Sequence, residues 1–499
     1  MSFSKYFIKY LAKRAYKKTQ INAFSALENQ HKIFKKILSL GGDSLFSQKN
    51  PILKNCNYHN FREQIKLNTY EDLRPYIELI SLGKKNILNS EKVKYFAITS
   101  GTTSGTKHIP FTESMMTYQT GAIKELLLLY AYQTGNYNLY KKKMMFIQGS
   151  PKLGLYNKIP FGKLSGITAH HIPFYLRGRR LPSMKTNSIS PWVQKIKAIV
   201  DETRLQDLGI IGGIPPWVIN YFEALLKKTG KKTVKCVFNN LSLYIHGGTD
   251  FSVYKKAFLD ICGKIDTLEV YPASEGFFAY QNNIEEKELL LLTNHGVFYE
   301  FIKLSDYVKD KYSRVPLEGV ELNTEYVMII STICGLWAYN TGDTVEFKSK
   351  FPFKIVFCGR ATQFCSAFGE HVIEKEVTTA INETVSVVGG VVSEYTVCPM
   401  ISDSTQQSYH DWYIEFSSLP KNISEFKKLL NLNMEKQNPY YKDLIKSNVI
   451  MPLRLNIVIS GGFSKYMKFI GKFGGQNKCP HLSNNRDIGD FLLKNYVKK

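Results

Sequence analysis

The stretch VKYFAITSGTTSGTKHIPFTESMMTYQTGAIKELLLLYAYQ, residues 93–133, decides the fold reading. Its opening VKYFAIT (93–99) is a short run rich in β-branched and aromatic residues, the composition of a strand. A segment of glycines and small hydroxyl residues follows, and from Glu113 the apolar positions recur at helical spacing. The order strand, flexible loop, helix predicts an α/β architecture. MMFIQGS (144–150), LGIIGGIPP (208–216), LSLYIHGG (241–248) and TLEVYPASEG (267–276) are likewise apolar runs that stop at glycine or small polar residues. Helical patterns such as WVINYFEALLKKTG and DFSVYKKAFLDICG lie between them. Buried strands alternating with helices imply mostly parallel sheets, whose ligands gather at the carboxyl ends of the strands.

Outward from this core, the N-terminal residues up to about 90 read as mostly helical. After Phe351 the texture changes: a helix is predicted near 371–384, strands near 391–399 and 411–418, a helix from about 422 and a strand at 454–460. The expected fold class is therefore α/β. A large N-terminal domain (1–359) of mostly parallel sheets and helices precedes a small α+β C-terminal domain (360–499), with the boundary at Arg360.

The formal charge of +24 raises a nucleic-acid or anionic-membrane reading. Most of the excess is lysine scattered as KK and KKK pieces without aromatic interleaving, and no zinc-finger, RRM or KH signature accompanies it. A solvated basic face is favoured, and no nucleic-acid partner is expected. The eight cysteines show no CxxC pair and read as reduced thiols, not a disulfide framework. The ten histidines form no HExxH or HxxxH arrangement, which argues against a protein-bound zinc.

The N-terminal MSFSKYFIKYLAKRAYKKTQ lacks the apolar run and cleavage site of a signal peptide. Phe7, Ile8, Leu11 and Ala15 would share one helical face, which favours packing on the helix's own domain over docking at a membrane surface. Apolar stretches such as YVMIISTICGLWAY fall short of the ~20 residues a membrane span needs, so a soluble, cytoplasmic protein is expected.

Three loops carry the chemistry. The first, Ser100–Gly101–Thr102–Thr103–Ser104–Gly105, lets backbone N–H groups and hydroxyls converge on an anion. It is not a Walker A motif, because Lys107 is followed by His108, and on composition alone a polar surface turn competes with a phosphate cradle. The second, YPASEG, places Tyr271 to stack a base, Ser274 to touch a phosphate and Glu275 to hold Mg²⁺, or else merely faces solvent. The third, YNTGDT, offers Asp343 to both ribose hydroxyls, or is an ordinary hairpin turn.

In this order the three loops resemble the Gretchen Hagen family of acyl acid amido synthetases, within the adenylate-forming superfamily. The resemblance extends over TYEDLRPYIELISLGKKNIL, GGIPPWVINYFEALLKKTGK, IHGGTDFSVYKKAF, YPASEGFFA, YNTGD, GRATQFCSAFGEHV and GGQNKCPHLSNNR. It implies that a carboxylic acid attacks MgATP to give an acyl-adenylate and pyrophosphate, and that an amine, such as an amino acid, then takes the acyl group and releases AMP. ATP and Mg²⁺ are the implied cofactors. Under the resemblance Ser100 to Gly105 cradle the β/γ-phosphates, and Gly247, Gly248 and Thr249 line the adenine. Tyr271 stacks on the adenine, Ser274 meets the α-phosphate, and Glu275 is the metal ligand. Asp343 binds the ribose with Arg360 at the hinge, and Lys478 stabilises the α-phosphate charge.

The sequence departs from that pattern in two places. The first loop is one residue shorter, which puts the reach of Lys107 in question, and His481 stands where relatives often have arginine. Met115, Met116, Gln119 and Ile123 occupy the helix that lines the acyl site in relatives, although a Met and aliphatic stripe is more often core. Phe277 and Phe278 either wall that pocket or pack beneath it. Arg177, Arg179 and Arg180 read as a solvated loop before they read as a carboxylate site. An acyl-CoA ligase is the alternative within the superfamily, and a non-catalytic nucleotide- or membrane-surface-binding relative is the alternative outside catalysis.

Overall fold

The computed structural model describes residues 5–50, 56–100, 106–172, 177–248, 251–252, 254–361, 364–365, 372–401, 408–447, 449–473, 478–483 and 485–498. The chain divides into two compact units. One comprises Met1–Gly213, Phe238–Gly248 and Ile265–Phe357, and the other Ile214–Val237, Thr249–Lys264 and Cys358–Lys499.

In the first unit the strands begin with β1 (Val93–Ser100), β2 (Thr106–Thr112), β3 (Lys143–Ile147), β4 (Gly154–Tyr156) and β5 (Ile159–Gly162). They continue through β6 (Arg180–Leu181), β7 (Leu208–Gly213), β8 (Leu243–His246), β9 (Asp266–Pro272) and β10 (Phe277–Tyr280). The run ends with β11 (Leu289–Leu291), β12 (Val297–Lys303), β13 (Val315–Pro316), β14 (Glu325–Thr332), β15 (Tyr339–Lys350) and β16 (Phe353–Arg360), whose last three residues belong to the second unit.

A four-stranded sheet has the order β2-β1-β5-β4, and a twelve-stranded sheet has the order β13-β12-β14-β15-β16-β11-β10-β9-β8-β7-β3-β6. From β6 to β9 the large sheet is parallel, as the alternation of apolar runs and helices predicts. Beyond β9 the pairings of β10 with β9 and β11, of β11 with β16, and of β14 with β12 and β15 are antiparallel. For β9–β10, β10–β11 and β14–β15 the short connections leave antiparallel pairing as the available geometry, since a parallel return needs a crossover of a dozen or more residues, whereas β12–β14 and β11–β16 are joined by longer segments.

The helix Glu113–Thr134 packs on the parallel half. Its Leu126, Leu129 and Tyr130 join Ile210, Leu243, Ile245, Leu268, Val270, Phe277 and Tyr280 in one core cluster. Each such buried side chain contributes roughly 1.5–3 kcal/mol relative to exposure, so this face anchors the carboxyl ends of β7 to β9. The helix Lys5–Phe24 packs against the same helix, with Tyr16 stacked on Tyr132 at 4.5 Å. Its buried line is Ile8, Ala12 and Thr19, whereas Phe7 is exposed, so the buried stripe is rotated from the one expected. No described helix is long and apolar enough to cross a membrane, and no disulfide joins the described cysteines.

In the second unit β17 (Phe364–Cys365) pairs with β18 (Val372–Ile373), and β19 (Val391–Met400), β20 (Ser408–Ser418) and β21 (Ile450–Val458) form a three-stranded sheet. The β19–β20 pair is antiparallel and the β20–β21 pair parallel. The helices Glu374–Val388 and Ile423–Gln437 pack together in this unit. A separate cluster joins Cys398, Tyr413 and Val458 of the strands to Phe463, Tyr466, Ile488 and Leu492 of the helices Gly462–Phe469 and Asp487–Asn495.

Candidate active site

The YPASEG segment is the tight connection between β9 and β10. Ala273 N–H donates to the Gly276 carbonyl at 2.8 Å and Gly276 N–H to the Ala273 carbonyl at 3.3 Å, closing the turn from both sides. Ser274 is buried and Glu275 half-buried on it. Gln119 Nε2, from the helix Glu113–Thr134, donates to the Ala273 carbonyl at 3.0 Å. Gln119 therefore braces the turn, a role that its place in an apolar helical stripe does not reveal.

The YNTGDT segment is a bulge inside a strand instead of a hairpin turn. Val327 on β14 lies opposite Thr344 and Ile329 lies opposite Asn340, so Met328 alone faces Thr341, Gly342 and Asp343. Three local bonds hold the extra residues. Thr341 Oγ1 donates to the Met328 carbonyl at 2.7 Å, Asp343 N–H donates to Thr341 Oγ1 at 3.1 Å, and Gly342 N–H donates to Asn340 Oδ1 at 2.9 Å. Gly342 has φ of 74°, which a residue with a Cβ adopts only at a cost. A bulge re-aims the side chain it carries. The Asp343 carboxylate is 6% exposed and accepts from the Tyr271 hydroxyl at 2.6 Å.

Two motifs 72 residues apart thus become one polar pair. The Tyr271 ring is held edge-on by Phe278 at 5.2 Å and Phe357 at 5.3 Å, leaving it half-buried.

β8 runs parallel to β9 with His246 opposite Glu269, which brings Gly247 beside Val270. A Cβ on Gly247 would lie 2.2 Å from the Val270 carbonyl oxygen, so the backbone approach itself requires glycine. Gly248 follows at the carboxyl end of the strand, and Thr249 lies outside the described residues.

The first loop is flanked differently from the expectation. Thr99 pairs with Lys107 and Ser100 with Thr106, so the segment closes an antiparallel hairpin, and the helix starts only at Glu113, capped by Thr112. The β-branched and aromatic residues of TKHIPFT favour extension, and Pro110 is poorly suited to a helix interior. Gly101 to Gly105 and the Ser100 side chain lie outside the described residues. Lys107 Nζ sits 5.8 Å from the Tyr70 ring centroid.

Met115, Met116, Phe277 and Phe278 are all buried core side chains, and Ile123 packs against the core cluster. Arg177 Nε and Arg180 Nη1 donate to the Ile172 and Ala169 carbonyls, each at 3.2 Å, so both brace their own loop. In the second unit Arg360 ends β16 and Lys478 is exposed. Both cations act on Glu374, whose carboxyl lies below its ordinary range; burial opposes that shift and the neighbouring His481 drives it.

Residues 22–212 match the GH3 family N-terminal domain, residues 290–360 its central domain and residues 375–487 its C-terminal domain. The chain belongs to the GH3 family. Among curated GH3 relatives it is 24% identical to a jasmonoyl–L-amino acid synthetase, JAR4 of Nicotiana attenuata, over 94% of this chain and 93% of that one. It is 26% identical to the indole-3-acetic acid-amido synthetase GH3.10 of Arabidopsis thaliana, over 40% of this chain and only 37% of that relative. Among solved structures its fold is similar to that of the GH3.15 acyl acid amido synthetase in complex with 2,4-DB. The TM-score is 0.80 at 15% identity, covering 100% of this chain and 98% of that one. A 2-hydroxyisobutyryl-CoA ligase in the postadenylation state shares the fold more distantly, with TM-score 0.63 at 10% identity over 95% and 93% of the two chains.

Proposed function

We propose that this GH3 protein is an ATP-dependent acyl acid amido synthetase. The observation that carries the reading is the Tyr271–Asp343 pair beside the braced Ala273–Gly276 turn. It sets a half-buried ring, a buried carboxylate, a hydroxyl and a second carboxylate along the carboxyl ends of β8 and β9, where α/β sheets bind ligands. This donor set fits a nucleotide. Tyr271 and Gly247–Gly248 would flank the adenine, Asp343 would accept from the ribose hydroxyls and Ser274 would donate to the α-phosphate. Glu275 would hold Mg²⁺, which supplies neutralisation of phosphate charge and usually binds through one or two carboxylates plus substrate oxygens.

In the first half-reaction a carboxylate oxygen of the acid forms a bond to the α-phosphorus as the bond to pyrophosphate breaks. In the second, the amine forms a bond to the acyl carbon, AMP leaves and the amine proton passes to solvent. Lys478 would offset the charge that develops on the α-phosphate in the first step. A point charge on a flexible stem suits a transient role. An amide product is favoured over a thioester because relatives aligned along almost the whole chain are jasmonoyl–L-amino acid synthetases. A cytoplasmic setting, where ATP and amino acids are both present, fits the reading.

The test is mass spectrometry of reactions with MgATP and indole-3-acetate, jasmonate, 2,4-DB, aryl or fatty acids, offered either the amino acids or CoA. An acyl–amino acid product with AMP supports the proposal. A thioester formed in preference, or ATP bound without any product, overturns it.

A further inference from the structure

His481 lies three residues after Lys478 and is 5% exposed. Its Nδ1 is 2.6 Å from Glu374 Oε1 and its Nε2 is 3.0 Å from Glu394 Oε1. A neutral imidazole carries one N–H, so a carboxylate at each ring nitrogen is matched only by the imidazolium. Burial works against that charge, but the Glu374 charge and the bonds to Glu374 and Glu394 overcome it and raise the pKa to about 10. Tyr395 on β19 stacks on the ring at 4.2 Å, and the Tyr254 hydroxyl donates to Glu394 at 3.4 Å. Glu415 on β20 adds like charge near Glu394, Lys478 and Arg360 add positive charge near Glu374, and burial pushes the Cys479 thiol up.

The backbone around this ring is tied to the same strand. Val397 N–H donates to the His481 carbonyl at 2.9 Å, Ser483 N–H to the Val397 carbonyl at 3.0 Å, and Thr396 Oγ1 to the Pro480 carbonyl at 2.7 Å. β19 therefore holds the segment by its backbone. The ion pair to Glu374 links it in addition to the start of the helix Glu374–Val388, where the Lys478 and Arg360 charges also act.

We propose that His481 is a positioning residue: clamped between Glu374 and Glu394, it fixes the 478–483 segment so that Lys478 is presented for adenylation. The inference rests on the reading of Lys478 given above. A guanidinium could occupy the same place between two carboxylates, whereas a neutral amide of similar size would leave their charges facing each other.

The test compares wild type with His481→Gln, His481→Arg and the charge-free triple variant Glu374→Gln/Glu394→Gln/His481→Gln. Three readouts are used: acid-dependent pyrophosphate exchange with the best acid of the panel above, aminolysis of the chemically prepared acyl-adenylate of that acid, and amide hydrogen exchange over 478–483. The expected result for His481→Gln and the triple variant is an exchange kcat lowered about 10²-fold, the scale of losing one transition-state donor, with the KM for ATP and the aminolysis rate within about threefold of wild type. His481→Arg should restore exchange. Equal exchange in all variants, or equal loss of both half-reactions without rescue by arginine, overturns the proposal. If wild type itself supports no exchange with any acid, the reading of Lys478 falls. Hydrogen exchange then decides whether His481 pins the segment: faster amides in His481→Gln that return to normal in His481→Arg support the clamp, and unchanged amides refute it.

Discussion

The turn between β9 and β10 and the segment around Lys478 place polar groups by opposite means. The turn is fixed by backbone hydrogen bonds from both ends, by Gln119 from a packed helix and by a strand bulge that delivers Asp343 to Tyr271. These are uncharged or locally satisfied contacts on a large sheet. The lysine segment has a short backbone attachment to β19 and carries His481, buried between the carboxylates of Glu374 and Glu394. A site that must remain still is built into the ladder of a sheet. On the proposed function, the lysine that would act in one step is carried on a segment with a buried charge pairing, which is strong while paired and costly once a partner is lost.

Removing one partner sharpens that contrast most. His481→Gln should destabilise the second unit by about 3–5 kcal/mol, the usual cost of breaking a buried ion pair from one side, as read by the denaturant midpoint. The loss has a definite pH dependence. The His481 pKa is raised from 6.5 to about 10, so its contribution is complete below 6.5 and disappears as pH rises through about 10. The stability gap between wild type and His481→Gln should therefore close in that alkaline window, while His481→Arg stays level across it.

Lys478→Ala should leave stability unchanged and lower the adenylation rate by about 10²–10³, comparable to deleting one transition-state donor. A comparable fall in thermal stability would mean that the lysine itself helps to hold the segment. On the other side of the comparison, Tyr271→Phe removes a hydrogen bond to a buried carboxylate. A loss of about 1.5–3 kcal/mol, roughly ten- to hundredfold in kcat/KM for ATP, is expected. Gln119→Ala is the smallest effect, about 0.5–1.5 kcal/mol from one neutral bond to the Ala273 carbonyl, detectable as a modest rise in the KM for ATP. If Gln119→Ala instead matched Lys478→Ala, the turn would be less self-sufficient than its two backbone bonds imply.

The parts legible in the sequence are those with short-range causes. The parallel half of the large sheet follows from apolar runs that end in glycine, and the YPASEG turn from small polar residues directly after such a run. The antiparallel half was not legible, because β10, β11, β12 and β14 are mostly buried apolar runs, and an apolar run alone does not reveal the direction of its partner. The bulge at Thr341–Asp343 depends on its register against β14, which local composition does not encode, so a turn was the natural expectation. The strand at Thr106–Thr112 was hidden by the strong helix signal that follows it. His481 drew notice only as a departure from the family pattern, since its carboxylate partners lie 107 and 87 residues away. Gln119 looked like one member of an apolar stripe, and only the folded helix directs its amide at the Ala273 carbonyl.

Adenylation at this site is tested most directly by acid-dependent exchange of labelled pyrophosphate into ATP by wild type and by Asp343→Asn and Lys478→Ala. Exchange is expected with one class of carboxylic acid, reduced in Asp343→Asn through the KM for ATP and in Lys478→Ala through kcat. Exchange that is indifferent to both substitutions, or ATP binding without exchange across every acid class, would contradict adenylation at this site.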